Sequence, residues 1–269
     1  YTRYINMGTW VIFAAFVFYT FGIILRWYIS GHAPWSNGYE TMIYVGWATS
    51  LSGFIFVKRS PITLAVTTLL ASIILFVAGM SWMNPEITNL VPVLKSYWLV
   101  VHVAIITASY GFLAMGALLG MLNLVLMILR NKQNNQNISY TILEVSYIVE
   151  MALIIGVFML TIGSFIGGVW ANESWGRYWG WDPKETWALV TVLVYSIILH
   201  LRKVPGLKST FALNSLALVG LSSVLMTFFG VNYYLSGMHS YGAGDPTPIP
   251  SGLYIAILVI AGLIIVETY

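Results

Sequence analysis

The sequence predicts an all-α integral membrane protein, a single polytopic domain over residues 1–269 with about eight transmembrane helices and an outward-facing tryptophan-rich loop. Three observations predict it. Of 269 residues, 59% are hydrophobic and 8% charged, whereas about a quarter of a soluble domain is charged. The apolar residues fall in runs near the ~20 that a helix needs to cross a ~30 Å hydrocarbon core. Charges, prolines and asparagines lie between those runs. The first run is too long and aromatic for a secretory signal and lacks a small-residue cleavage site, so it belongs to the mature chain. The net charge of +3 reports topology, and no nucleic-acid partner is implied. The absence of cysteine excludes disulfides, thiolate metal ligands and a Cys-x-x-Cys-His haem attachment site in this chain.

Taken in order, the first span is expected from about Met7 to Ile29, followed by a turn-rich loop from Ser30 to Gly38 that contains His32 and Pro34. The second runs from Tyr39 to Val57 and stops at Lys58-Arg59-Ser60; Pro61 opens the third, which reaches Met80. After a loop with Asn84-Pro85 and Pro92, the fourth run, Tyr97 to Leu129, is long enough to project beyond a bilayer. Polar residues 130–137 close it. The fifth span is placed from Ile148 to Val169, the sixth from Thr186 to His200, the seventh from Phe211 to Tyr234. A loop with His239, Asp245, Pro246, Pro248 and Pro250 leads to the eighth, from Gly252. Arg3, Lys58, Arg59, Arg130, Lys132, Arg202, Lys203 and Lys208 fall on one side of this topology, and Arg26, Lys95, Arg177 and Lys184 on the other. The positive-inside rule puts the first set in the cytoplasm.

Residues 170–187 read Trp-Ala-Asn-Glu-Ser-Trp-Gly-Arg-Tyr-Trp-Gly-Trp-Asp-Pro-Lys-Glu-Thr-Trp. Membrane proteins spread a few aromatics over many helix ends as interfacial belts. Five tryptophans in one loop instead suit a large planar ligand with carboxylates, such as porphyrin, which Arg177 and Lys184 would meet. Histidine is costly inside a membrane and a frequent metal ligand. His102 near the outer end of the fourth helix and His239 just past the seventh lie on the same side as the aromatic loop, and together could bind both axial positions of a haem iron. His200 sits in the inner half of the membrane, where no second histidine of this chain shares its depth. It reads either as a residue snorkelling beside Arg202 and Lys203 or as a ligand whose partner is on another polypeptide. His32 reads as loop-structuring. Asp182 before Pro183 reads as a helix cap in an ion-paired helix start, and Glu40 is expected to open the second helix likewise. Glu150 is expected to be exposed at the inner interface.

The stretch Trp175-Gly-Arg-Tyr-Trp179-Gly-Trp181-Asp182-Pro183-Lys184-Glu185-Thr-Trp187 resembles the WWD signature of the haem-handling proteins of cytochrome c biogenesis. Its Asp-Pro-Lys-Glu-x-Trp ending, and the loop Gly31-His32-x-Pro34-x-Ser36-Asn37-x-Tyr39-Glu40, resemble the CcsA/ResC branch more than CcmC or CcmF. The resemblance covers essentially the whole chain. It implies that His102 and His239 are axial ligands of haem b, carried as cargo, on the outer face. Trp170, Trp175, Trp179, Trp181 and Asp182 would form the platform, and His200 would share an inner haem with a histidine of a CcsB/ResB partner. It further implies a cytochrome c synthase subunit that presents haem to the Cys-x-x-Cys-His motif of an apocytochrome c for thioether formation. The setting would be a bacterial plasma membrane or a thylakoid membrane. A haem exporter without ligation chemistry and a b-type electron-transfer cytochrome are the alternatives. A start at Tyr1 and a last apolar run reaching Tyr269 leave open a separate subunit and a piece of a fused protein.

Overall fold

The computed structural model describes residues 2–80, 83–87, 89–90, 95–131, 135–239 and 251–268. Pro92, Lys132 and the loop residues Asp245, Pro246, Pro248 and Pro250 lie outside them. Among the described residues the regular structure is all helical, as expected of an all-α integral membrane protein. The helices are α1 (Thr2–Ser30), α2 (Gly38–Phe56), α3 (Pro61–Ala78), α4 (Tyr97–Leu129), α5 (Asn135–Trp175), α6 (Pro183–Leu201), α7 (Thr210–Leu225), a π-helical turn (Met226–Gly230), α8 (Val231–Tyr234) and α9 (Ser251–Thr268).

Among the described residues, six helices are long and apolar enough to cross a membrane, not eight: Arg3–Ser30, Pro61–Ala78, Tyr97–Leu129, Asn135–Trp175, Pro183–Leu201 and Thr210–Tyr234. The expected second span forms as α2 but is too polar to qualify, with Glu40, Thr41, Thr49, Ser50, Ser52 and three glycines along it. The expected eighth forms as α9, which runs to the end of the residues described; its apolar stretch Ser251–Val266 is not counted among the six. The largest departure in boundaries is α5. It runs for 41 residues, about 60 Å, because the polar stretch after Asn135 is also helical and the helix continues to Trp175.

The chain divides into two compact units, Tyr1–Met115 with Phe158–Gly180, and Gly116–Val157 with Trp181–Tyr269. In the first, α2 and α3 form a hairpin in which Pro61 starts α3 as expected. Small residues let the two backbones close up, since a Cβ on Gly53 would overlap Thr67. The Trp47 indole donates to Thr20 Oγ1 at 2.9 Å, and the Tyr19 hydroxyl donates to Ile43 O, tying α1 to α2. Glu40 departs from the expected cap. The cap is Asn37, whose side chain accepts from Glu40 N at 2.8 Å. Glu40 itself is fully buried, ion-paired to Arg26 Nε at 2.8 Å, and accepts from the backbone and hydroxyl of Ser36. Arg26 also donates to Pro85 O at 2.9 Å. One ion pair therefore anchors the loops on both sides of α2 and α3.

In the second unit, Leu124, Ile142 and Leu218 bring α4, α5 and α7 together in an apolar cluster. Beside it, the Asn123 amide donates to Ser146 Oγ at 3.0 Å and Asn214 Oδ1 at 3.1 Å. Asn214 donates to Ser146 Oγ at 2.9 Å and Thr210 O at 2.7 Å. Glu150 is not simply exposed. It accepts from Arg202 Nη2 at 3.0 Å, and Arg202 also donates to Lys208 O, closing the turn between α6 and α7.

Candidate functional site

The tryptophan-rich stretch is only partly a loop. Residues 170–175 are the last turns of α5, residues 176–182 form the connection, and α6 begins at Pro183. Its tryptophans have unlike environments. Trp170 is buried at 1% exposure, whereas Trp181 is 70% exposed. Trp179 is also exposed and Trp175 half-buried. Trp170 thus offers no open face and acts as packing, with Trp175 against it edge-on at 4.8 Å. The Arg177 guanidinium lies over the Trp175 ring at 5.5 Å, a cation–π contact, and packs on the backbone of Gly180, where a Cβ would overlap it. Gly176 takes a left-handed φ of 70°, and Trp181, a non-glycine residue, takes 58°. Such conformations are strained for side-chain-bearing residues and cluster at functional sites.

His102 is held by the face of α5. Its Nδ1 bonds the backbone carbonyl of Gly163 at 2.7 Å, and its ring stacks on Trp170 at 6.2 Å between centroids. The ring fits because Gly167 has no side chain: a Cβ there would lie 2.3 Å from His102 Cε1. The same close approach recurs at Gly163, where a Cβ would come within 2.6 Å of Ile106. Sequence reasoning missed these two glycines. Their signal was present, since small residues four apart in an apolar helix mark close helix packing.

Asp182 and His239 come together. Asp182 caps α6 in a capping box with Glu185, as expected, and its Oδ2 also bonds His239 Nδ1 at 2.8 Å. The Lys184 backbone N–H donates to the same carboxylate at 3.2 Å; its side chain is half-buried. His200, in the last turn of α6, lies 18 residues beyond Asp182, about 27 Å along the helix. It is exposed, with Nδ1 bonded to Ser196 O at 2.7 Å. His32 faces its own loop, Nδ1 to Ala33 O at 3.1 Å, in keeping with a loop-structuring role.

The chemistry of these bonds is shared. A backbone carbonyl only accepts, so Nδ1 of His102 and of His200 carries the proton, and in the neutral ring the lone pair lies on Nε2. A carboxylate imposes the same tautomer on His239. Metal-binding histidines characteristically give their second N–H to such acceptors. Burial lowers the pKa of His239 below its ordinary 6.5, with Asp182 pulling the other way. Above about 6.5 the folded and unfolded rings are both neutral. As pH falls, the unfolded chain binds its proton first, so stability declines toward the folded pKa. Asp182→Asn, by removing the raising influence, is expected to move the His239 titration to lower pH still. Nuclear magnetic resonance of imidazole-labelled, haem-free protein checks this, and an upward shift would contradict it.

The fold and these residues define a class: a polytopic helical membrane protein that fixes imidazoles and aromatic rings at helix ends. Within that class, the chain belongs to the cytochrome c assembly protein family, which it matches over residues 35–239. It is 50% identical over 239 residues to Protein NrfI of Wolinella succinogenes, covering 89% of this chain and 26% of that protein. It is 34% identical over 250 residues to the cytochrome c biogenesis protein CcsA of Prochlorococcus marinus, covering 82% of this chain and 79% of the relative. The CcsA of Arabidopsis thaliana is 31% identical over 271 residues, with 82% and 81% covered. The chain therefore spans about a quarter of the NrfI relative and about four fifths of these CcsA relatives.

Proposed function

We propose that this chain holds haem b as substrate on the outer side of the membrane and presents it for covalent attachment to an apocytochrome c. It would do so as the CcsA-like part of a cytochrome c synthase. The observation that carries the reading is the tautomer control of His102 and His239: each has Nδ1 committed to an acceptor, so each offers Nε2 to iron. In this reading the two are the axial ligands. Trp179 and Trp181 give exposed aromatic surface for the macrocycle, Trp175 and Trp170 back it, and Arg177 and Lys184 meet the propionates. Membership of the cytochrome c assembly family and the biogenesis named for the CcsA relatives support it.

The chemistry needs no cysteine in this chain. Each thiol of the apocytochrome's Cys-x-x-Cys-His motif adds its sulfur and its hydrogen across a haem vinyl group, so nothing is oxidised or reduced. Two imidazoles on the iron shield it until the apocytochrome's own histidine displaces one. His200, exposed with its Nε2 lone pair available by tautomer, suits a second haem shared on the inner side with a histidine of a CcsB/ResB-like partner. That partner is either a separate subunit or fused in one polypeptide. The membrane would be a bacterial plasma membrane or a thylakoid membrane, with the outer site facing the periplasm, exterior or lumen.

Coexpression with a CcsB-like partner and an apocytochrome, scored for haem that stays covalently attached on a denaturing gel, tests the synthase. Attachment is expected with the parent chain and lost in the His102→Ala/His239→Ala double variant, which also loses its low-spin haem spectrum. His200→Ala is expected to retain the outer ligands but arrive poorly loaded. Release of free haem without attachment would favour an exporter, and an unaltered spectrum in the double variant would remove these histidines as ligands.

A further inference from the structure

Asp182 does more than a helix cap requires. One side-chain oxygen suffices to cap a helix, and serine or asparagine supplies it as well as aspartate. Here the carboxylate is 4% exposed and both oxygens are engaged: Oδ2 by the His239 ring at 2.8 Å and Oδ1 by the Met238 backbone N–H. The segment before the histidine is shaped to the carboxylate, since a Cβ on Gly237 would sit 2.5 Å from Asp182 Oδ1 and 2.8 Å from Pro183 Cδ. The strained φ of 58° at Trp181 lies immediately before Asp182, at the point where an exposed indole is followed by a buried carboxylate. Neither oxygen of Asp182 is left to line a surface for a planar ligand.

We infer that Asp182 is a positioning residue, which fixes the direction of His239 and raises its strength as an iron ligand. The inference rests on the reading of His239 as a haem ligand given above. The partner groups of the two histidines differ in kind. His102 bonds a neutral carbonyl, whereas His239 bonds a carboxylate. A carboxylate draws the Nδ1 proton further from the ring, so the imidazole donates more electron density through Nε2. Stronger donation favours ferric over ferrous iron and holds that bond more tightly. His239 is therefore the retained ligand, and His102 the one more readily exchanged.

The test compares haem-loaded full-length Asp182→Asn, Asp182→Ala, His102→Ala and His239→Ala proteins. Asparagine caps helices as well as aspartate, so Asp182→Asn keeps the helix start while removing the charge and one of the two acceptor oxygens. It is expected to keep a bis-imidazole spectrum, to shift the haem midpoint potential to more positive values, and to exchange its ligand with added imidazole several-fold faster. Asp182→Ala is expected to lower haem retention by roughly 10–100-fold, the usual cost of losing such a supporting partner. A potential and an imidazole exchange rate of Asp182→Asn that match the parent protein would overturn the inference and leave Asp182 a cap. If Asp182→Ala fails to fold, Asp182→Asn decides alone. A parent-like spectrum in His239→Ala would instead overturn the ligand assignment, and this inference with it. An altered His239→Ala beside a parent-like Asp182→Asn overturns only the role of Asp182.

Discussion

Replacing Gly167 by valine is expected to produce the haem spectrum of His102→Ala without touching the histidine. A Cβ at position 167 would stand 2.3 Å from His102 Cε1 and 2.5 Å from Nδ1, closer than non-bonded atoms tolerate. The imidazole must then leave the face of α5, which breaks its bond to Gly163 O and its stacking on Trp170. Overpacking of this kind costs about 1–3 kcal/mol, enough to move one ring but not to unfold the chain. Haem retention should therefore fall at least tenfold while the protein still inserts and purifies. Gly22→Ala is the matched control, because nothing lies within 4 Å of the position its Cβ would occupy. Parent-like haem content and spectrum in Gly167→Val would show that His102 need not sit in this slot to serve.

The second large effect is expected at Arg26. Its partner Glu40 has a side chain only 1% exposed, so Arg26→Met would leave a buried carboxylate without its cation. Breaking a buried pair in this way costs about 3–5 kcal/mol. The lower end applies here because Ser36 continues to donate two hydrogen bonds to Glu40. Thermal unfolding of haem-free protein in detergent should occur roughly 6–12 °C lower. The segment at Pro85 and Glu86, which Arg26 also holds, should become the earliest site of proteolysis. Adding Glu40→Leu should restore most of the loss, since removing both charges removes the imbalance. A single variant as stable as the parent would mean that the pair contributes nothing to stability.

Much of this was legible in the sequence. Composition together with the length and spacing of the apolar runs gave the all-helical membrane class, and Pro61, Pro183 and Asp182 announced the starts of their helices because proline and a capping aspartate favour those positions locally. The count of spans was not legible in the same way. α2 has the length of a span, but counting length and breaks alone overlooked how polar it is. The extent of α5 was missed because residues 135–147 mix polar side chains with Ile138, Ile142, Leu143 and Val145, and helicity does not require an unbroken apolar run. At the site, residue types pointed to His102, His239 and Asp182. What the sequence withheld was pairing across long separations: Asp182 with His239 over 57 residues, His102 with Gly163 over 61, Arg26 with Glu40. Those depend on which helix faces meet, and no local propensity encodes them.

The amide cluster of Asn123, Ser146 and Asn214 has a consequence for assembly. Apolar side chains in hydrocarbon gain little by choosing one neighbour over another, so Leu124, Ile142 and Leu218 would pack nearly as well if α7 were turned by one residue. A turn of one residue moves a helical position by 100°, which would carry Asn214 out of reach of both Ser146 and Asn123. The Asn214 amide would then lose both partners in a medium with no water to replace them, at a cost of several kcal/mol. The three residues work as a key cut for a single rotational setting. A variant with all three replaced by valine or alanine of suitable volume should still insert, yet would have lost what tells a correctly seated helix from a misaligned one.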